Sequence, residues 1–247
     1  MAREHRLNDR QKDVLKIVVL SHIKSASPIG SLHVSDVLGL SSATIRNVMG
    51  ELEDMGYIAK PHTSAGRIPT RNGYRYYVNN LMELDVISDK RKQMIEMEYY
   101  KKRIETLEEM LGYISHLLSE LTRYAGIACI SNLKFYMEGT SNMADIPEFK
   151  DVERMKNLLR LFDEKEELFN LIEEDLQTEG VKIHIGEEGK NETLRDLSLI
   201  TANYNIKKAR KGSLGVLGPV RMNYSALIPL VDFVSKAIEE VLDDMEI

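Results

Sequence analysis

An α+β, mostly helical fold is what this amino-acid sequence predicts, and three observations carry that expectation. Long stretches repeat apolar residues every three to four positions, the period of an amphipathic helix. Shorter apolar or alternating stretches lie between turn-forming Gly and Pro residues and read as strands. The charge is divided unevenly along the 247 residues. Residues 1–80 hold 11 Lys and Arg against 7 Asp and Glu, with four His, whereas residues 81–247 hold 22 against 32. The net charge of −6 is therefore a basic first part joined to an acidic remainder. That asymmetry points to a polyanion as partner of the first part.

Composition removes several classes. With 43% hydrophobic and 29% charged residues, the chain reads as globular. No run of about eighteen apolar residues exists, so no membrane-spanning helix is expected. The first residues lack the apolar core of a secretory signal. Cys129 is the single cysteine, which excludes an internal disulfide and an all-cysteine metal site and fits a reducing cytoplasm.

The elements of the first part follow in order. Asn8 caps a helix that runs to about Ser25, with Gln11 completing a capping box and Val14, Leu15, Ile17 and Val18 on its apolar face. Pro28, Ile29 and Gly30 form a break. Ser31 then caps a short helix through Val37, and Gly39 ends it in a left-handed turn. Ser41 and Ser42 open a third helix, expected over 42–55. Its Ile45, Val48, Met49 and Leu52 form one buried stripe, and its other face carries Ser42, Thr44, Arg46 and Asn47. Arg pairs bidentately with guanine and Asn with adenine in the major groove, and the positive helix end suits phosphate. A solvated helix face has the same composition, so this face alone leaves both readings open. Residues 56–60 and 67–69 read as a hairpin, and its 61–68 tip offers His62, Thr63, Ser64 and Arg67. No acid occurs from Tyr57 to Met82, which suits a wing against a phosphate backbone better than an ordinary loop. Short helix, glycine turn, helix and hairpin together make a winged helix-turn-helix over residues 1–84.

These residues carry a family likeness. The runs 7–12 (LNDRQK), 40–47 (LSSATIRN), 51–57 (ELEDMGY) and 60–70 (KPHTSAGRIPT) closely resemble HrcA, a family of bacterial heat-inducible transcription repressors. So do residues 117–125 (LLSELTRYA), 138–142 (EGTSN), 147–149 (PEF), 181–188 (VKIHIGEE) and 213–224 (SLGVLGPVRMNY). The resemblance implies a GAF-like regulatory domain after the winged helix. It also implies repression of chaperonin and DnaK-type chaperone operons through the inverted-repeat operator CIRCE, and support from a GroEL-type chaperonin. Ser41, Ser42, Thr44, Arg46, Asn47, His62, Thr63, Ser64 and Arg67 become the expected DNA contacts. The chain departs from the family between 125 and 138, where a long stretch with a dimerising insertion normally lies. The GAF-like domain, over 126–247, is therefore expected to be shortened.

Residues 85–125 contain no Pro and one Gly and read as a long linker helix. Ile104, Leu107, Leu111, Ile114, Leu118 and Leu121 lie at alternating steps of three and four. That spacing fits a coiled-coil seam joining two chains, and equally a helix packed on its own C-terminal domain. Asp151–Glu179 reads as a second helical region whose acids are a solvated face, since no calcium-loop spacing is present. Residues 181–185, 197–206 and 213–217 read as strands, the last two forming a hairpin ended by Pro219, and Tyr224–Leu242 as a closing helix. Gly212, Gly215 and Gly218 lack the helix of a dinucleotide fingerprint and suit close packing in a sheet. No catalytic arrangement is recognisable and no cofactor is expected. The function expected is that of a dimeric, heat-released repressor on double-stranded DNA. A winged-helix regulator answering a small-molecule effector through its C-terminal domain, and a protein-interaction module, are the alternatives.

Overall fold

The structure, a computed structural model, describes residues 6–62, 65–101, 106–131, 134–164, 166–186, 194–206 and 210–244. It divides into two compact units, Met1–Glu83 and Leu84–Ile247.

In the first unit, α1 (Asp9–Ser25) begins on the expected box. The Asn8 side chain accepts from the Gln11 amide and Gln11 Oε1 accepts from the Asn8 amide. The second helix, α2 (Ser31–Leu38), is capped by Gly30, and Ser31 is its first residue rather than its cap. Gly39 closes it at φ 66°, as the sequence suggested. The third, α3 (Ser42–Asp54), starts at Ser41, whose hydroxyl accepts from the Thr44 amide. Ile45, Val48, Met49 and Leu52 are buried and meet α1 and α2. Strands β1 (Ile58–Ala59) and β2 (Ile68–Pro69) pair antiparallel. A further short helix, α4 (Arg71–Tyr76), and a π-helical turn at Tyr77–Leu81 complete the unit. Neither was expected.

The second unit is a five-stranded antiparallel sheet with helices on both faces. Its strands are β3 (Ala125–Ile130), β4 (Lys134–Glu138), β5 (Val181–Ile185), β6 (Leu197–Ile206) and β7 (Arg210–Pro219), in the order β4-β3-β7-β6-β5. The hairpin of β6 and β7 stands where expected and extends further along the chain. Gly212 and Gly215 are held to glycine by close packing. A Cβ at Gly212 would lie 2.2 Å from the buried Tyr204 ring, and one at Gly215 would lie 2.2 Å from the Ile200 carbonyl oxygen. On one face, Ala125, Ile127 and Cys129 of β3 and Leu197 and Leu199 of β6 pack against α7 (Val152–Asp163) and α8 (Glu166–Asp175). The other face carries α6 (Leu107–Thr122) and α9 (Tyr224–Asp244).

Two expectations need correction here. The helix over 85–125 is two helices, α5 (Asp89–Lys101) and α6, and both lie in the second unit. Thr106 starts the second by accepting from the Glu109 amide at 3.2 Å. The coiled-coil seam is not available to another chain. Leu111, Ile114 and Leu118 are at most 1% exposed because α6 lies on β3, β4 and β7. Leu107 and Leu121 are half-buried, and Ile104 lies outside the described residues. In the shortened middle of the domain, β3 and β4 pair antiparallel with each other, and the sheet holds five strands.

The family-like segments of this unit hold its parts together. Asn142 donates to Ser119 Oγ at 3.0 Å, fixing the 138–142 turn to α6. Glu148 accepts from Arg221 Nη2 at 3.1 Å and also from Arg221 Nε. The Tyr224 hydroxyl bridges Ser198 Oγ at 2.8 Å and the Val220 carbonyl at 2.6 Å.

Candidate nucleic-acid interface

The face of α3 opposite its buried stripe carries Ala43, Arg46 and Asn47, all exposed, one turn apart. Helical periodicity forces this: burying 45, 48, 49 and 52 turns 43, 46 and 47 outward. Arg46 does not hang free from that face. Its Nε donates to Ser31 Oγ at 3.3 Å, and Ser31 Oγ lies 3.2 Å from Ser42 Oγ. The first turns of α2 and α3 thus share a hydroxyl cluster that orients the guanidinium. Ser41 is exposed and its Oγ lies 2.8 Å from Thr44 Oγ1. Hydroxyls at the start of a helix, where the dipole is positive, favour an anion. At the side of the face, Gln11 Nε2 donates to Glu51 Oε2 at 2.8 Å, which ties α1 to α3.

The wing is anchored from a direction the sequence did not reveal. Ile29, in the break between α1 and α2, bridges Arg67 antiparallel. Its amide donates to the Arg67 carbonyl at 2.8 Å, and the Arg67 amide returns the bond at 2.9 Å. The sheet edge so formed passes over Gly66. A Cβ there would lie 2.5 Å from the Ile29 carbonyl carbon, so glycine is required at that position.

His62 is exposed at the wing tip, and Thr63 and Ser64 lie outside the described residues. Arg67 takes a different role from the one expected. Its Nη2 and Nε contact Glu53 Oε2 at 3.1 and 3.2 Å, and its side chain is 17% exposed. The returning strand places it beside the last turn of α3, where a carboxylate meets it. It fastens the wing to the helix. Lys60 lies 3.8 Å from the same oxygen. Glu53, Ser31 and Ile29 are the residues that sequence reasoning missed. Their roles arise from contacts distant in sequence, and no local pattern marks them.

Comparison with known proteins matches both parts of the chain to one family. Residues 6–83 match the model described as "Winged helix-turn-helix transcription repressor, HrcA DNA-binding". Residues 128–228 match the "HrcA protein C terminal domain". The chain is 29% identical to the heat-inducible transcription repressor HrcA of Pelotomaculum thermopropionicum, over 96% of this chain and 97% of the relative. It is 28% identical to the protein of that name from Desulforudis audaxviator, over 97% and 99%. These alignments run over 340 and 341 positions, so the relatives contain residues that this chain of 247 does not. The crystal structure of "a hypothetical protein at 2.2 A resolution" has the same fold, with a TM-score of 0.73 at 20% identity, over 96% of this chain and 98% of that one. With both halves matching models of one family, and relatives of that name aligned over nearly all its residues, this chain belongs to the HrcA family of winged helix-turn-helix transcription repressors.

Proposed function

We propose that the chain represses heat-shock operons, those of the chaperonin and of the DnaK-type chaperone, and releases them on heating. It works in the cytoplasm as a homodimer on an inverted-repeat operator. One observation carries the DNA-reading part: the exposed Arg46–Asn47 face of α3, with Arg46 held by Ser31 beside the hydroxyls of Ser41, Ser42 and Thr44. In this reading α3 enters the major groove, and Arg46 and Asn47 meet base edges. Ser41, Ser42, Thr44 and the wing residues His62, Thr63 and Ser64 meet phosphates and fix the register. Two recognition helices related by a two-fold axis match the two halves of an inverted repeat. The second unit carries the response to heat, and a GroEL-type chaperonin supports its active form.

The test is a gel shift on the inverted repeat against a scrambled duplex, over a salt series, with and without chaperonin. Binding prefers the repeat and falls steeply with salt. Arg46→Ala costs about 1–3 kcal/mol on the repeat and relaxes its preference. Equal weakening on both duplexes would remove Arg46 from base readout.

One observation favours a second reading. A groove of about 420 Å³ between α5 and α6 is lined by Met94, Ile95, Tyr113, His116, Leu117, Glu120 and Leu121. Its size suits a small effector. A metabolite that raises the melting temperature and changes operator affinity, where chaperonin does neither, supports that reading.

A further inference from the structure

We infer that the outer edge of β4 is the surface on which two copies of this chain meet, by antiparallel pairing about Tyr136. The inference rests on the two-fold repressor proposed above and names the surface that makes it two-fold. Both faces of the sheet are covered, by α6 and α9 on one side and by α7 and α8 on the other. The apolar stripe of α6 is spent on the chain's own core. Among the described residues, the sheet itself then offers its two edges, β4 and β5.

An edge strand presents unpaired amides and carbonyls, and proteins guard it with internal charges, Pro or bulges. Residues Phe135, Tyr136 and Met137 form the middle of β4 without any of these, and all three are half-buried. The charges stand at its two ends, Lys134 and Glu138, both exposed. That order is self-complementary. Pairing two copies antiparallel about Tyr136 sets Lys134 of each opposite Glu138 of the other, twice. It also sets Phe135 opposite Met137, twice. Directly opposed side chains in such a pair have Cβ atoms about 5 Å apart, and opposite charges there attract.

The alternation of the strand agrees with this register. Phe135 and Met137 lean on the face of α7 and α8, where Phe135 meets Phe169 edge-on at 6.3 Å. Lys134, Tyr136 and Glu138 lie on the α6 face, where Lys134 pairs with Glu108. Each opposed pair therefore falls on one face, with apolar partners continuing one core layer and charged partners continuing the rim of the other. The β5 edge has no such order. Pairing it about Ile183 sets Lys182 of one copy opposite His184 of the other, and Lys182 sits in its interior. An isologous contact of this kind closes with two chains, and the two sheets become one of ten strands.

Sedimentation equilibrium of the full chain tests it. The wild-type chain is a dimer. Lys134→Glu and Glu138→Lys, made separately, each raise the dimer dissociation constant at least about tenfold, since both ends become like-charged. The double exchange restores association, and so does an equimolar mixture of the two single variants, because each end then holds one acid opposite one base. Circular dichroism melts confirm that each variant folds, and Glu138→Lys leaves the Lys134–Glu108 pair untouched. A wild-type chain that stays monomeric, or a dimer indifferent to every variant, overturns the inference. If the inverted repeat is bound two-fold by the two single-reversal variants and the wild-type chain alike, the β4 surface is wrong and the repressor reading stands. A charge-sensitive dimer that ignores the repeat leaves the surface standing and removes the repressor reading.

Discussion

Two arginines illustrate how little composition says about a side chain's task. Arg46 and Arg67 both lie in the basic part and both were expected at DNA. The structure points one outward from a helix and spends the other on Glu53. The difference is the carboxylate within reach, and only folding brings Glu53 to the wing. Cys129 is a residue whose chemistry is set by place alone. It is fully buried on β3 beneath the α7 and α8 layer. Burial pushes its thiol up to about 12, because a thiolate there would lose its water. The unfolded chain releases that proton nearer pH 9. The neutral thiol's contribution to stability is therefore whole below pH 9 and drains away as pH climbs towards 12. At pH 8 the native chain resists iodoacetamide for hours and the urea-unfolded chain reacts within minutes. Equal labelling of both, followed by mass spectrometry, would show that Cys129 is reached in the folded state.

Among the elements, those with a clean period were legible. The box at Asn8, the stripe of α3, the turn at Gly39, the hairpin of β6 and β7 and the closing helix were all readable from spacing and turn residues. Strand β4 was not, because Phe-Tyr-Met does not alternate in polarity. The break before α6 is marked in the sequence: Thr106 followed by Glu109 is a helix-start signature, and Thr106 caps α6 in the structure. The seam of α6 shows why spacing names a face but not its partner. Leucines at steps of three and four serve a second helix or a sheet equally well, and here the sheet of the same chain takes them. Leu118→Ala accordingly destabilises the second unit by about 2–5 kcal/mol without separating two chains. Urea melts and sedimentation of the same variant check it. A stable variant that dissociates would return the seam to the interface. The wing's bridge to Ile29 was beyond any local reading, since its partners meet across α2 and α3.

For the whole molecule, the proposed reading has the second unit carry the heat response, so the margin of that unit's stability sets the release temperature. The contact of Glu148 with Arg221 contributes to that margin. It joins the segment before α7 to the segment before α9, and its two side chains are 22% and 15% exposed. Glu148→Gln leaves the guanidinium facing a neutral amide, at a cost of about 2 kcal/mol, less than for a fully buried pair. The melting temperature of the second unit falls by roughly 4–8 °C. The temperature of operator release falls with it, as read by fluorescence anisotropy of labelled operator. An unchanged release temperature with a lowered melt would place the heat response elsewhere. The strand order has a consequence for how the chain is born. Strand β3 pairs Ala125 with Leu217 and Ile130 with Gly212, so the centre of the sheet waits for a strand made late in translation. The DNA reader closes with residues before Glu83 and is finished first. Each new molecule therefore leaves the ribosome with a completed winged-helix unit tied to a second unit whose sheet has yet to close, a state prone to trapping. In the proposed reading, the supply of working repressor then depends on how often that closure succeeds.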